Sequence, residues 1–93
     1  MLEGKLRDSA LQRLHRIAGQ VRGLERMVEQ QRYCIEIVQQ IAAVEAALHR
    51  LSAAILENHM QTCVADAFAT NDPSVQREKI EELIRVFHFM RRG

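Results

Sequence analysis

The sequence predicts an all-α fold, built as a single small domain over residues 1–93. Apolar residues make up 47% of the chain and aromatic residues only 4%, while Gly and Pro are sparse. This balance, rich in Leu, Ile, Ala, Glu, Gln and Arg, is typical of helical proteins. Apolar residues also recur every three or four positions along three segments, which is the period of an amphipathic helix.

The first helix is predicted over about residues 5–30. Gly19 and Gly23 lie inside it, and each should cost about 1 kcal/mol relative to Ala, so we expect another backbone to approach closely there. The helix is indicated by one apolar stripe: Leu6, Ala10, Leu14, Ile17, Val21, Leu24 and Val28.

The second helix is predicted to begin near Tyr33 or Cys34 and to run unbroken to about Phe68, since this stretch contains neither Gly nor Pro. Its apolar surface is too wide for one partner helix and indicates a bundle completed by a second chain. The heptad-like seam consists of Ile37, Ile41, Val44, Leu48, Leu51 and Ile55, widened by Val38, Ala42, Ala47, Ala54 and Leu56.

The segment "TNDPSVQ" separates the second helix from the third. Asp72 is a good N-cap, Pro73 suits the first helical position, and the third helix should end near Met90. Three helices in 93 residues, one of them about nine turns long, cannot enclose a good core alone. We therefore expect an obligate homo-oligomer.

Charge and leader sequence limit the possible functions. The net charge of +1 predicts no bulk affinity for a polyanion, so any nucleic-acid binding must come from a local basic patch. The opening residues do not resemble a secretory signal and no apolar run approaches the ~18–20 residues that span a bilayer, so we expect a cytoplasmic protein without a leader or membrane contact. We find no nucleophile–base arrangement, phosphate loop or paired catalytic carboxylates, and so predict no enzyme and no catalytic residues.

The stretch "LENHMQTCVADAF" places His59 and Cys63 four residues apart, on one face of a helix. Cys34, the other cysteine, lies 25 residues before His59, or about 38 Å along one helix. Antiparallel pairing with a second copy would bring Cys34 beside the partner subunit's His59 and Cys63, with the two-fold axis between residues 47 and 48. Two thiolates and an imidazole suit three-coordinate Cu(I), whereas Zn(II) prefers a fourth ligand and Ni(II) more nitrogen or oxygen donors. Coincidental spacing or packing is the alternative interpretation.

Four segments together resemble the copper-sensing CsoR repressors of the CsoR/RcnR family: "LQRLHRIAGQVRGLERMV", "YCIEIVQQIAAVEAALHRL", "NHMQTC" and "KIEELI". The resemblance implies a three-helix protomer that forms an antiparallel four-helix-bundle dimer and a D2 tetramer, without a helix-turn-helix. The metal-free form would bind operator DNA, and Cu(I), one per protomer, would bind Cys34 with the partner subunit's His59 and Cys63 and release the DNA. Tyr33 and Glu82 match family positions that surround the ligand histidine. A copper chaperone is a candidate partner.

Subgroups of this family differ at these positions. Nickel and cobalt sensors carry a further His near the N-terminus, where this chain has Leu2. Formaldehyde sensors lack the cysteine matching Cys63, and persulfide sensors lack the histidine matching His59, so all three comparisons favour copper. Two alternatives stay open: a thiol sensor that links Cys34 to the partner's Cys63, and a structural helical adaptor with buried cysteines. The remaining histidines are interpreted as surface or packing residues: His15, His49 and His88.

Basic residues cluster on the first two helices despite the small net charge. By resemblance, Arg13 and Arg50 match positions that the family uses for DNA, with Lys5, Arg16 and Arg22 as further contributors. Four copies in a tetramer would form a basic face whose phosphate contacts supply affinity and salt dependence. Without a recognition helix, much of the sequence preference should come from DNA shape. A solvated helix face is the alternative.

Overall fold

The computed structural model describes residues 2–92, and the described chain is helical with no strand. Helix α1 spans Gly4–Glu29, α2 Cys34–His59, α3 Ala65–Ala69 and α4 Pro73–Arg92, with a π-helical turn over Met60–Val64 between α2 and α3. The predicted all-α fold is confirmed. None of the described helices is both long and apolar enough to cross a membrane.

A short turn reverses the chain between α1 and α2. Gln31 adopts a left-handed backbone with φ of 56°, and the Arg32 N–H donates to the carbonyl of Met27 at 3.0 Å. This bond across five residues closes the C-terminus of α1 in the manner of a Schellman motif. The carbonyl of Tyr33 then accepts the N–H groups of Glu36 and Ile37, which starts α2. So short a turn makes α1 and α2 antiparallel neighbours.

The described chain divides into two compact units, the first of which is Leu2–Leu56. In this unit α1 and α2 line a common groove, and four members of the predicted stripes are buried: Ala10, Ile17, Val44 and Leu51. Two helices cannot enclose all their apolar surface, and large side chains stay exposed: Leu14, Val21, Val38, Ile41, Leu48 and Ile55. This exposed surface agrees with the expectation of a second chain.

The glycines of α1 face open space inside this chain. A Cβ at Gly23 would meet nothing within 4 Å, and one at Gly19 would meet only the Arg22 guanidinium at 3.7 Å. The prediction of a close backbone approach is therefore wrong within the single chain, because no described backbone lies against either glycine.

The second unit begins at Glu57 and contains the end of α2, the π-helical turn, α3 and α4. Asn71, with φ of 58°, ends α3, and asparagine tolerates this left-handed backbone better than most residues. The Asp72 carboxylate accepts the Ser74 N–H at 3.0 Å and the Ser74 hydroxyl at 3.1 Å. The predicted N-cap at Asp72 and helix start at Pro73 are confirmed.

The second helix differs from its prediction at one place. The sequence predicts one α-helix as far as about Phe68, but the α-helical bonding of α2 ends at His59. The next turn is π-helical, because the Ala65 N–H donates to the carbonyl of Met60, five residues earlier. The chain stays helical through Ala69, and the change of bonding falls on the segment that carries Cys63.

Candidate functional site

Cys34 is the first residue of α2, and its free thiol is exposed. At 3.6 residues per turn, Cys34, Ile41 and Leu48 fall within a sector of about 40° around the α2 axis. Ile41 and Leu48 are 41% and 44% exposed, so Cys34 begins an uncovered apolar stripe. Tyr33, which precedes it, has an exposed ring at 69%, and its hydroxyl makes no hydrogen bond to a described residue.

His59 is the last residue of α2, and one of its ring nitrogens is held by α4. Nε2 of His59 lies 3.2 Å from Oε1 of Glu82, and the two side chains are 33% and 43% exposed. In the neutral tautomer that donates from Nε2 to the Glu82 carboxylate, Nδ1 keeps its lone pair and faces away from this contact. The structure brings Glu82 to His59 as the resemblance implies, and its role toward a metal stays a prediction.

Cys63 lies inside the π-helical turn, half-buried and with a free thiol. Its Sγ is 3.7 Å from the hydroxyl oxygen of Thr62, which also donates to the carbonyl of Asn58 at 2.8 Å. Sequence reasoning does not select Thr62. The available signal is a threonine inside a predicted helix, because its hydroxyl can bond to the carbonyl four residues earlier.

The three candidate ligands are not gathered within one chain. Among residues 2–92 no group of three His, Cys, Asp or Glu side chains is arranged to hold a metal ion. Cys34 belongs to the unit Leu2–Leu56, whereas His59 and Cys63 belong to the unit that begins at Glu57. Each unit alone therefore offers an incomplete donor set.

Three of the predicted DNA-binding arginines line a single groove of about 330 Å³ between α1 and α2. Arg13 and Arg16 come from α1 and Arg50 from α2, and all three are exposed. None of the ion pairs among the described residues involves them, so their charges are available to an anion. Gln20 lines the same groove and adds an amide that sequence reasoning does not select.

The other predicted basic residues lie outside this lining. Lys5 and Arg22 are exposed on α1. The groove therefore joins part of the predicted patch, while Lys5 and Arg22 could only extend it along the α1 surface. The three unassigned histidines are also exposed, as the surface interpretation expects: His15, His49 and His88.

Comparison with known proteins assigns the family. Residues 6–88 match the family of metal-sensitive transcriptional repressors. This chain belongs to that family. The match spans both compact units. It includes Cys34, His59 and Cys63 together with the arginine-lined groove.

Relatives of this family member respond to different metals. The chain is 46% identical over 83 residues to the copper-sensing transcriptional repressor CsoR of Bacillus subtilis, covering 89% of this chain and 79% of that protein. It is 37% identical to the copper-sensing repressor CsoR with Cu(I) from Geobacillus thermodenitrificans, with a TM-score of 0.80 over 95% of this chain and 93% of that one. The nickel-responsive regulator InrS is 33% identical, with a TM-score of 0.77 over 94% of this chain and 96% of that one.

Proposed function

We propose that this protein is a Cu(I)-responsive transcriptional repressor. Its metal-free form binds operator DNA, and DNA is released when an intersubunit site takes up Cu(I), which derepresses genes for copper export and homeostasis. Membership of the metal-sensitive repressor family supports regulation of transcription rather than catalysis. Residues 1–93 act as one metal-sensing and DNA-binding domain, and we expect it in the cytoplasm together with its DNA.

The donor chemistry is the observation that carries the choice of copper. Cys34 and Cys63 are free thiols, and the contact of Glu82 with Nε2 leaves Nδ1 of His59 as the ligating nitrogen. Two soft thiolates and one imidazole fit the low coordination number that Cu(I) accepts, while Zn(II) needs a fourth ligand for a closed tetrahedral site. When bound, Cu(I) supplies a soft centre that joins the two subunits, one ion per protomer.

The exposed stripe on α2 supports the antiparallel dimer that this site requires. Ile41 and Leu48 share the sector of α2 that carries Cys34, and they remain uncovered in the single chain. Pairing this stripe with its copy buries apolar surface on both chains, which is favourable by about 25 cal/mol per Å². The same pairing brings Cys34 to the partner subunit's His59 and Cys63. Two such dimers form the proposed D2 tetramer.

The arginine-lined groove supports the DNA-binding part of the proposal. Arg13, Arg16 and Arg50 hold three unpaired guanidinium groups within one groove, and guanidinium binds phosphate oxygens in a bidentate manner. Lys5 and Arg22 extend the basic surface along α1. Repetition over four protomers gives the several phosphate contacts that sequence-independent affinity requires.

Nickel sensing is the second candidate, because the nickel-responsive InrS shares the fold at a TM-score of 0.77. Nickel and cobalt sensors of this family carry a histidine at the position that Leu2 occupies in this chain. Leucine offers no donor atom to a metal, which favours copper. A thiol sensor that joins Cys34 to the partner subunit's Cys63 gives no role to His59 and does not explain its contact with Glu82. A copper chaperone remains a candidate partner for delivery of Cu(I).

An anaerobic titration tests the proposal. A fluorescent promoter duplex saturated with metal-free protein is titrated with Cu(I), Ni(II) or Zn(II), and anisotropy reports release of DNA. We expect Cu(I) to release DNA at about one equivalent per protomer, whereas the Cys34→Ala variant should bind DNA normally and resist release. Release by Ni(II) but not Cu(I) would favour the nickel alternative. Normal Cu(I) response of Cys34→Ala would refute the ligand assignment.

A further inference from the structure

The π-helical turn over Met60–Val64 follows His59 directly and contains Cys63. Such turns are rare within α-helices and occur frequently at functional sites. In an α-helix, four residues overshoot a full turn by about 40°, since 3.6 residues complete it. In a π-helical turn the bonds reach one residue further, so four residues complete less of a rotation. The backbone bonding therefore sets the angle about the helix axis between the side chains of His59 and Cys63.

Thr62 connects this backbone feature to the sulfur of Cys63. Its hydroxyl donates its single proton to the carbonyl of Asn58 at 2.8 Å, and the oxygen lies 3.7 Å from Sγ of Cys63. The hydroxyl also lies within donor range of Sγ, so it can share its proton between the Asn58 carbonyl and the sulfur, and a thiolate is the stronger acceptor of such a bond. Threonine is also β-branched, and its χ1 rotamer is fixed in a helix when the hydroxyl bonds to the carbonyl four residues earlier.

We infer that Thr62 is a positioning residue for Cys63. The bond from its hydroxyl to Asn58 holds the side chain against the start of the π-helical turn, and its contact with Sγ sets the direction of the thiol. The inference rests on the proposed Cu(I) site and adds the residue that aligns Cys63 with His59. Groups that orient metal ligands by hydrogen bonds affect metal affinity by about 10–100-fold when they are removed.

Three variants separate this role from ordinary helix stability. Thr62→Val keeps the β-branched shape and removes the hydroxyl, whereas Thr62→Ser keeps the hydroxyl and removes the methyl group. Thr70→Val is the matched control in the same unit, because the Thr70 hydroxyl also donates to a backbone carbonyl, that of Ala67 at 2.6 Å, and neither of its hydrogen bonds involves a cysteine. Thr62→Ala, which favours helix, replaces Thr62→Val if circular dichroism finds that variant unfolded.

The experiment measures Cu(I) affinity by anaerobic competition with a chromogenic chelator, together with the thiolate-to-copper ultraviolet absorption band. We expect Thr62→Val or Thr62→Ala to lower the affinity by about tenfold and to alter the band. Thr62→Ser and Thr70→Val should match the wild type. The inference is overturned if Thr62→Val and Thr62→Ala bind like the wild type, or if Thr62→Ser and Thr70→Val weaken binding as much. A wild-type protein that takes up no Cu(I) refutes the proposed function itself, an outcome distinct from these.

Discussion

The contact between His59 and Glu82 is the clearest link between the proposed metal ligand and another helix, and it can be broken by one substitution. Glu82→Ala removes the acceptor that faces Nε2 at 3.2 Å, and Glu82→Gln keeps an acceptor without the charge. Without Glu82, the imidazole loses the carboxylate that contacts Nε2 and orients the ring. We therefore expect weaker Cu(I) binding in Glu82→Ala, with Glu82→Gln between that variant and the wild type.

The structure limits the size of this effect. The His59 and Glu82 side chains are 33% and 43% exposed, so water can replace part of the contact. A contact of this exposure contributes about 0.2–1 kcal/mol to the stability of the metal-free protein. Removal of a group that orients a metal ligand lowers metal affinity by about 10–100-fold, and the exposure favours the lower end, about tenfold. Tenfold corresponds to about 1.4 kcal/mol.

Competition titration with a Cu(I) chelator measures the affinity, and thermal unfolding of the metal-free protein measures the stability. Glu81→Ala is the matched control, because Glu81 is exposed, carries the same charge and makes no ion pair among the described residues. A Glu82→Ala protein with wild-type Cu(I) affinity would refute the positioning role of Glu82. Equal reductions in Glu81→Ala and Glu82→Ala would assign the effect to net charge.

Three further predictions test the groove, the dimer face and the turn after α1. Arg50→Ala should weaken binding to every duplex and reduce the slope of log affinity against log salt by about one for each phosphate that Arg50 neutralises. Fluorescence anisotropy measures this slope, with Arg77→Ala as the control. An unchanged slope contradicts the groove assignment. Leu48→Glu places a charge at the centre of the apolar stripe and should give monomers in sedimentation velocity. Gln39→Glu, on the opposite side of α2, is the control and should leave the oligomer intact. A dimeric Leu48→Glu protein would reject the antiparallel register. Gln31→Gly relieves the left-handed backbone at φ of 56° and should raise the free energy of unfolding by about 0.5–1 kcal/mol in urea, whereas Gln30→Gly, at φ of −83°, should give no gain.

The helices were predictable because each has a strong local signal. The stripe that ends at Val28 and the cap at Asp72 depend on periodicity and on short-range hydrogen bonding, and α1 and α4 begin and end close to the predicted residues. The contact of Glu82 with His59 came from a family resemblance, because nothing in the spacing of the two residues along the chain brings them together.

The features that sequence could not supply depend on geometry beyond one helical turn. The π-helical turn changes backbone bonding by one residue, and the sequence "MQTC" suits an α-helix equally well. Gly19 and Gly23 indicated a close backbone neighbour, but no described backbone lies against either glycine in the single chain. Convergence of Arg50 with Arg13 and Arg16 required the packing of α1 on α2.

In the proposed dimer, helix α2 is the physical element through which copper and DNA would influence each other. Cys34 and Arg50 are 16 residues apart on it, or about 24 Å, so a metal on Cys34 cannot touch a phosphate on Arg50. In the proposed dimer, however, each copper site would hold the start of one α2 against the end of its copy, which restricts how the helices can tilt. Arg50 moves with α2 while Arg13 and Arg16 move with α1, so a tilt between these helices changes the spacing of the three charges. A change in that spacing alters how well the three guanidinium groups match the phosphates, and by reciprocity bound DNA then weakens Cu(I) binding by the same factor by which Cu(I) weakens DNA binding.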